Sequence, residues 1–254
     1  MLKKVFLAMA TACLPHLIVT QESQVLVQSK YPKAYVWYCD MAQKYPDAHL
    51  MQINFCISDH HHAGTDAIFW PEANLKIIND SYQSPNPVSD ANRQLLLEDE
   101  YLLLHEGYHV AQSHILKGKL ALATATTASA AITLGSIAQV CSQAVPVVTA
   151  TTQAVAGNVA IAAAMYAYAR SQETQADNFA NQTADKSSLQ AGMQWHSNNH
   201  QELQLSANDS VLPQTVSEIY ADPAHPAPTT RLNNSKQIFN DRFNVELEET
   251  AAIC

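Results

Sequence analysis

The sequence predicts an α+β fold, mostly helical, built as one domain over residues 21–254 behind an N-terminal apolar segment at 1–20. Three observations carry this expectation. The region up to about Pro87 is of mixed character, whereas the stretch that follows is dominated by helical patterns. Residues 120–169 contain no Asp, Glu, Lys, Arg or His, and Pro146 divides them into two runs of helix length. Immediately upstream, His105-Glu106-Gly107-Tyr108-His109 sets two imidazoles at i and i+4, which share one face of a helix. A chain of 254 residues can bury a full core, so one domain suffices. Charged residues are only 15 % and the net charge is −9, which argues against a nucleic-acid partner.

In chain order, MLKKVFLAMATACLPHLIVTQES puts Lys3 and Lys4 ahead of an apolar run, the pattern of an export signal. Cleavage after Ala10-Thr11-Ala12 leaves a very short apolar core, and cleavage nearer Thr20 leaves a longer one. Cleavage before Cys13 would suit a lipoprotein, although Ala10 stands where Leu is usual, and an uncleaved N-terminal helix is the remaining alternative. Export places the chain in a bacterial-type periplasm or cell envelope, where Cys39, Cys56, Cys141 and Cys254 would remain; Cys39 with Cys56 is the expected disulfide. His60, His61 and His62 follow Asp59 and precede Ala63-Gly64, which reads as a loop, with a second metal site as the lesser alternative.

LEDEYLLLHEGYHVAQSHILKGK, residues 97–119, reads as a single helix. Glu98, Asp99 and Glu100 would sit at the positive end of its dipole and Lys117 and Lys119 near the other, with Leu102, Leu103 and Leu104 as an apolar flank. The two runs of 120–169 are each long enough to cross a hydrocarbon layer of about 30 Å. They are also rich in Ala and Thr and carry Gln139, Gln143, Gln153 and Asn158, so a pair of closely packed soluble helices fits as well. ARSQETQADNFA continues as helix, HSNNHQE around His196 and His200 reads as a solvated helix or loop, and a Pro-rich turn at 223–228 precedes a final helix near 232–245.

Two histidines one turn apart with a glutamate between them make half of a zinc hydrolase, because both rings reach one ion while the carboxylate stands beside a bound water. A third ligand is still required. A histidine in the extended pattern would need Gly at 112 and His at 115, and these are Gln112 and Ile115, with His114 one residue out of register. A glutamate on a second helix, with an aspartate four residues on to hold a ligand histidine, fits at Glu173 with Asp177 and at Glu218 with Asp222. The first pair is preferred, since Pro223 biases Asp222 away from helix.

HEGYHV, RSQETQAD and HPAPTTRL, in that order, resemble the three motifs of the HtpX-like and CAAX-prenyl-protease-like zinc metallopeptidases, a branch of the gluzincins. Arg170, Glu173, Ala176 and Asp177 match the second motif, and His225, Pro226 and Arg231 the third; looser similarity at 67–79 falls where the family places strands lining the substrate cleft. The resemblance implies a zincin-like fold with a small sheet beside the active-site helix and an Ala-rich helical hairpin at 120–169, since several members insert a membrane hairpin there. It implies a zinc-dependent endopeptidase with one Zn2+ per chain held by His105, His109 and Glu173. Glu106 would be the general base, Asp177 would orient a ligand histidine, and His225 and Arg231 would stabilise the oxyanion, His225 also being placed to take the fourth coordination position. The partner would be a protein or peptide substrate at or near a membrane. The family often has Gly directly before the second histidine; Tyr108 stands there instead, with Gly at 107, which puts substrate size in question. From a different class of function, a catalytically silent zinc-bound chaperone-like or binding module, using the hairpin as its surface, would carry the same ligands.

Overall fold

The computed structural model describes residues 26–208 and 225–244. Its elements are α1 (Val27–Lys30), α2 (Pro32–Lys44), two 3-10 turns (Pro46–Ala48 and Leu50–Gln52), β1 (Asn54–Ser58), β2 (His62–Ala63), β3 (Ala67–Pro71), α3 (Glu72–Ser81), α4 (Asp90–Ala111), α5 (His114–Cys141), α6 (Val147–Thr183), α7 (Lys186–Asn208) and α8 (Pro228–Phe243). The architecture is mostly helical with a small sheet. The N-terminal leader, Cys13, Cys254, Glu218 and Asp222 lie outside the described residues.

β3 is the central strand, parallel to β1 and antiparallel to the short edge strand β2. Side chains alternate across the pleat, so Phe55, Ile68 and Trp70 enter the main core while Cys56, Ala67 and Phe69 form a small cluster on the other face. That alternation separates Cys56 from Cys39, which packs against the main core. The expected Cys39–Cys56 disulfide is absent, and Cys39, Cys56 and Cys141 are free thiols. Similarity at 67–79 suggested strands throughout, but only Ala67–Pro71 is extended. Pro71 is the N-cap of α3, and Glu72 lies in its first turn, favourable to the helix dipole.

α4 starts at Asp90, where the Ser89 hydroxyl accepts the Asn92 N–H at 3.2 Å, earlier than the acidic cluster suggested. Glu98, Asp99 and Glu100 are therefore mid-helix, not a charged N-terminus. Glu100 is buried and accepts from Lys44 Nζ at 2.8 Å, Ser188 Oγ at 2.6 Å and the Tyr45 hydroxyl, tying α2 and α7 to α4. Asp99 is buried and accepts from Asn74 at 2.9 Å and lies 3.2 Å from His61 Nε2. His61 is thus a tether between the β1–β2 connection and α4, and His62 begins a strand, so the histidine run is not a simple loop. Gly107 faces the sheet. A Cβ there would stand 2.5 Å from Leu50 Cδ2 and 3.8 Å from Ile68 Cδ1, so the absence of a side chain lets α4 seat against this part of the core.

Residues 97–119 are not one helix. The chain breaks at Gln112 and Ser113, where Ser113 takes a left-handed conformation with φ 55°, and α5 then runs through Gly118 to Cys141. α5 and α6 fold back on each other, and Pro146 is the N-cap of α6. Ser129 hydrogen-bonds Asn158, while Ile132 lies where a Cβ on Gly157 would approach to 3.0 Å, so the pair runs antiparallel with close backbones. The most apolar stretch of α5 contains no buried residue and that of α6 has 6 % buried; both helices are long and apolar enough to cross a membrane. The far end of α6 leaves this pair and packs with α4 and α8, burying Ala176, Asp177, Ala180 and Asn181. α8 spans Pro228–Phe243, close to the expected final helix.

Candidate metal centre

The i, i+4 spacing on α4 puts the rings of His105 and His109 side by side, with Nε2 to Nε2 at 3.2 Å, and both residues are buried. α6 delivers Glu173 across them: Oε2 lies 3.4 Å from His105 Nε2 and Oε1 3.3 Å from His109 Nε2. Ligand atoms arranged around zinc at bond lengths of about 2.0–2.1 Å stand roughly 3.3 Å from one another. The three observed separations fit that spacing. Among the described residues, His105, His109 and Glu173 are also the one group of three or more His, Cys, Asp or Glu side chains close enough to share an ion.

Electrostatics favours positive charge at the same point. Burial opposes protonation of His105, but the carboxylates of Asp177 and Glu173 outweigh it and push its pKa up to about 10. Burial would raise Glu173, yet the imidazoles of His105, His109 and His225 hold its carboxyl well below the usual range.

Asp177 stands one turn beyond Glu173 on α6, with Oδ1 3.0 Å from His105 Nδ1. Arg231 on α8 grips the same carboxylate with Nε to Oδ2 at 2.7 Å and Nη2 to Oδ1 at 2.6 Å. Burial opposes the charge on Asp177 too, while His105 and Arg231 pull its pKa down. His225, just before α8, brings Nε2 to 3.1 Å from Glu173 Oε2. Glu106 is half-buried on the same helix as His105 and His109, next to His105. Tyr108 stacks on Phe179, with ring centroids 4.8 Å apart, and meets the His114 ring edge to face at 5.5 Å.

Sequence reasoning missed a second polar layer one turn deeper. Tyr101, Asn181 and Ser235 are each four residues from His105, Asp177 and Arg231 on the same three helices. The Tyr101 hydroxyl donates to Asn181 Oδ1 at 2.9 Å, and Ser235 Oγ donates to that oxygen at 3.0 Å. His196, expected in solvent, is buried beside Tyr101 with Nε2 3.2 Å from its hydroxyl, and burial followed by the nearby Arg231 lowers its pKa to about 3. A Cβ on Gly192 would fall 2.5 Å from the Tyr101 ring, so α7 admits that ring against its backbone. The four-residue spacing from the motif residues was the available signal. His114, set aside because it was out of register as a ligand, is buried with Nδ1 3.0 Å from His109 Nδ1. Burial, then His109 and Lys117, lowers its pKa to about 4.

No curated protein and no solved structure matches the chain. The profile of peptidase family M48 matches residues 97–238, a span that contains every residue of this cluster. With more than half of the chain covered and His105, His109 and Glu173 inside the match, the chain belongs to peptidase family M48, a family of metallopeptidases.

Proposed function

We propose that the protein is a zinc-dependent endopeptidase whose ion is held by His105, His109 and Glu173. The observation that carries the reading is the triangle of Nε2 and carboxylate atoms at 3.2–3.4 Å. Zinc, when bound there, supplies a Lewis acid that acidifies a water and polarises a peptide carbonyl. Glu106 takes the proton of the attacking water and passes it to the leaving nitrogen. Asp177 holds His105 by Nδ1, so that Nε2 keeps its lone pair for the ion. Arg231 is assigned to fixing Asp177, because two of its nitrogens are already engaged by that carboxylate; this replaces the oxyanion role suggested by motif resemblance. His225, 40 % exposed, is assigned the polar contact with the developing oxyanion or with the ion's fourth position. Zinc analysis of the purified chain is expected to give about one ion per molecule. Hydrolysis of an unstructured protein substrate should stop on chelation and return on adding zinc; cleavage indifferent to chelation would refute the reading.

The charge-free stretch of α5 and α6, residues 120–169, is proposed to sit in a membrane, with the site beside its surface and membrane-proximal polypeptide as substrate. Seven Ser and Thr hydroxyls, at Thr124, Thr126, Thr127, Thr133, Ser136, Thr151 and Thr152, each donate to the carbonyl four residues earlier, which satisfies them without water. Lys117, Lys119 and Arg170 flank the charge-free stretch on the side of the site, and Glu173 follows Ala169 by four residues, about 6 Å of helix. The cell envelope is the proposed location, on the N-terminal pattern of Lys3, Lys4 and an apolar run. The intact chain is expected to fractionate with membranes and resist carbonate extraction. Clean recovery in the soluble fraction without detergent would exclude spanning and leave the metal centre untouched.

A further inference from the structure

The two ligand histidines are held differently. His105 leans on a carboxylate, whereas the second nitrogen of His109 faces another imidazole, that of His114, with Nδ1 to Nδ1 at 3.0 Å and ring centroids 5.0 Å apart. We propose that His114 is a positioning residue, which fixes the ring and tautomer of His109 by accepting the hydrogen bond from its Nδ1–H. This rests on the zinc reading above.

The tautomer follows from valence. An imidazole that offers the Nε2 lone pair to an ion carries its single proton on Nδ1, and that proton needs an acceptor. His114 Nδ1 is the atom at hydrogen-bond distance, so His114 keeps its own proton on Nε2. Backbone geometry is arranged for this contact. On an unbroken helix a residue five positions after His109 would lie about 140° round the axis and could not touch it. The break at Gln112 and the left-handed Ser113 turn the chain, so the first residue of α5 falls back onto His109. A non-glycine residue in that conformation costs roughly 1–2 kcal/mol, a cost consistent with a contact that serves a purpose. Gln172 Nε2 reaches the His114 carbonyl at 3.4 Å, which ties the turn to α6 close to Glu173 without using the imidazole. The arrangement also sets a neutral partner on one ligand and an anionic one on the other. His105 is then the stronger donor to the ion and His109 the weaker.

His114→Leu removes the acceptor and keeps apolar volume, whereas His114→Asn offers Oδ1 about where Nδ1 stood. In the zinc-loaded full chain, His114→Leu is expected to weaken zinc binding by about 10- to 100-fold in chelator competition and to alter the visible spectrum of the cobalt-substituted protein. His114→Asn is expected to recover most of both. Nitrogen-15 NMR of the unaltered zinc form should show His114 protonated on Nε2 and bare on Nδ1, a reading that needs no variant to fold. The opposite tautomer would overturn the proposal, as would a folded His114→Leu with unchanged zinc affinity, or an Asn variant as impaired as the Leu one. An unaltered chain that binds no zinc would overturn the site reading itself, and this inference with it.

Discussion

Replacing Glu106 with Gln is expected to leave about one zinc per chain and to lower kcat by about 10²- to 10⁴-fold, the range contributed by a positioned general base. That loss corresponds to roughly 3–5 kcal/mol of transition-state stabilisation. The amide keeps the shape of the carboxylate but cannot accept the proton of the attacking water. Zinc is expected to stay because the triangle of His105, His109 and Glu173 does not include Glu106. Single-turnover cleavage of a peptide, with zinc measured on the same sample, checks both halves. Undiminished cleavage after contaminating proteases are excluded would remove Glu106 from the mechanism. Absence of cleavage in the unaltered zinc-loaded protein would instead favour a zinc-bound binding module.

Glu173→Ala is the second large effect, and it should strike the metal directly. The variant is expected to lose zinc affinity by more than about 100-fold, the upper end seen for partners that only orient a ligand. The charge pattern supports this size of effect: Glu173 approaches His105, His109 and His225 with its two oxygens. Its removal leaves buried imidazoles without the anion that faces them, so some loss of folding stability should accompany the loss of zinc. Glu218→Ala, made in parallel, should bind zinc as the unaltered chain does. Elemental analysis ranking the two variants the other way would transfer the third ligand to Glu218.

Much of the site was legible because it is written in helical periodicity. His105 with His109, and Glu173 with Asp177, are i, i+4 pairs, and a regular helix forces each pair onto one face whatever surrounds it. The same holds for the charge-free segment, whose division at Pro146 became the division between α5 and α6 because proline is compatible with a helix start and not with an interior. The disulfide expectation failed for a complementary reason. Cysteine count says nothing of which face of a strand a thiol occupies, and β1 turns Cys56 away from the core face where Cys39 packs.

By itself the sequence determined the motif spacings and the predominance of helix, since both are local properties of the chain. Tertiary structure alone decided how the helices meet. It chose Glu173 as the carboxylate facing both histidines, set Arg231 on Asp177, buried Asp99, Glu100 and His196 in polar contacts, and broke the helix at Ser113 so that His114 could reach His109. The physical reason is that burial and hydrogen-bond partnership depend on which element lies opposite. A local pattern fixes the face a side chain occupies, and only the packed fold supplies what stands across from it.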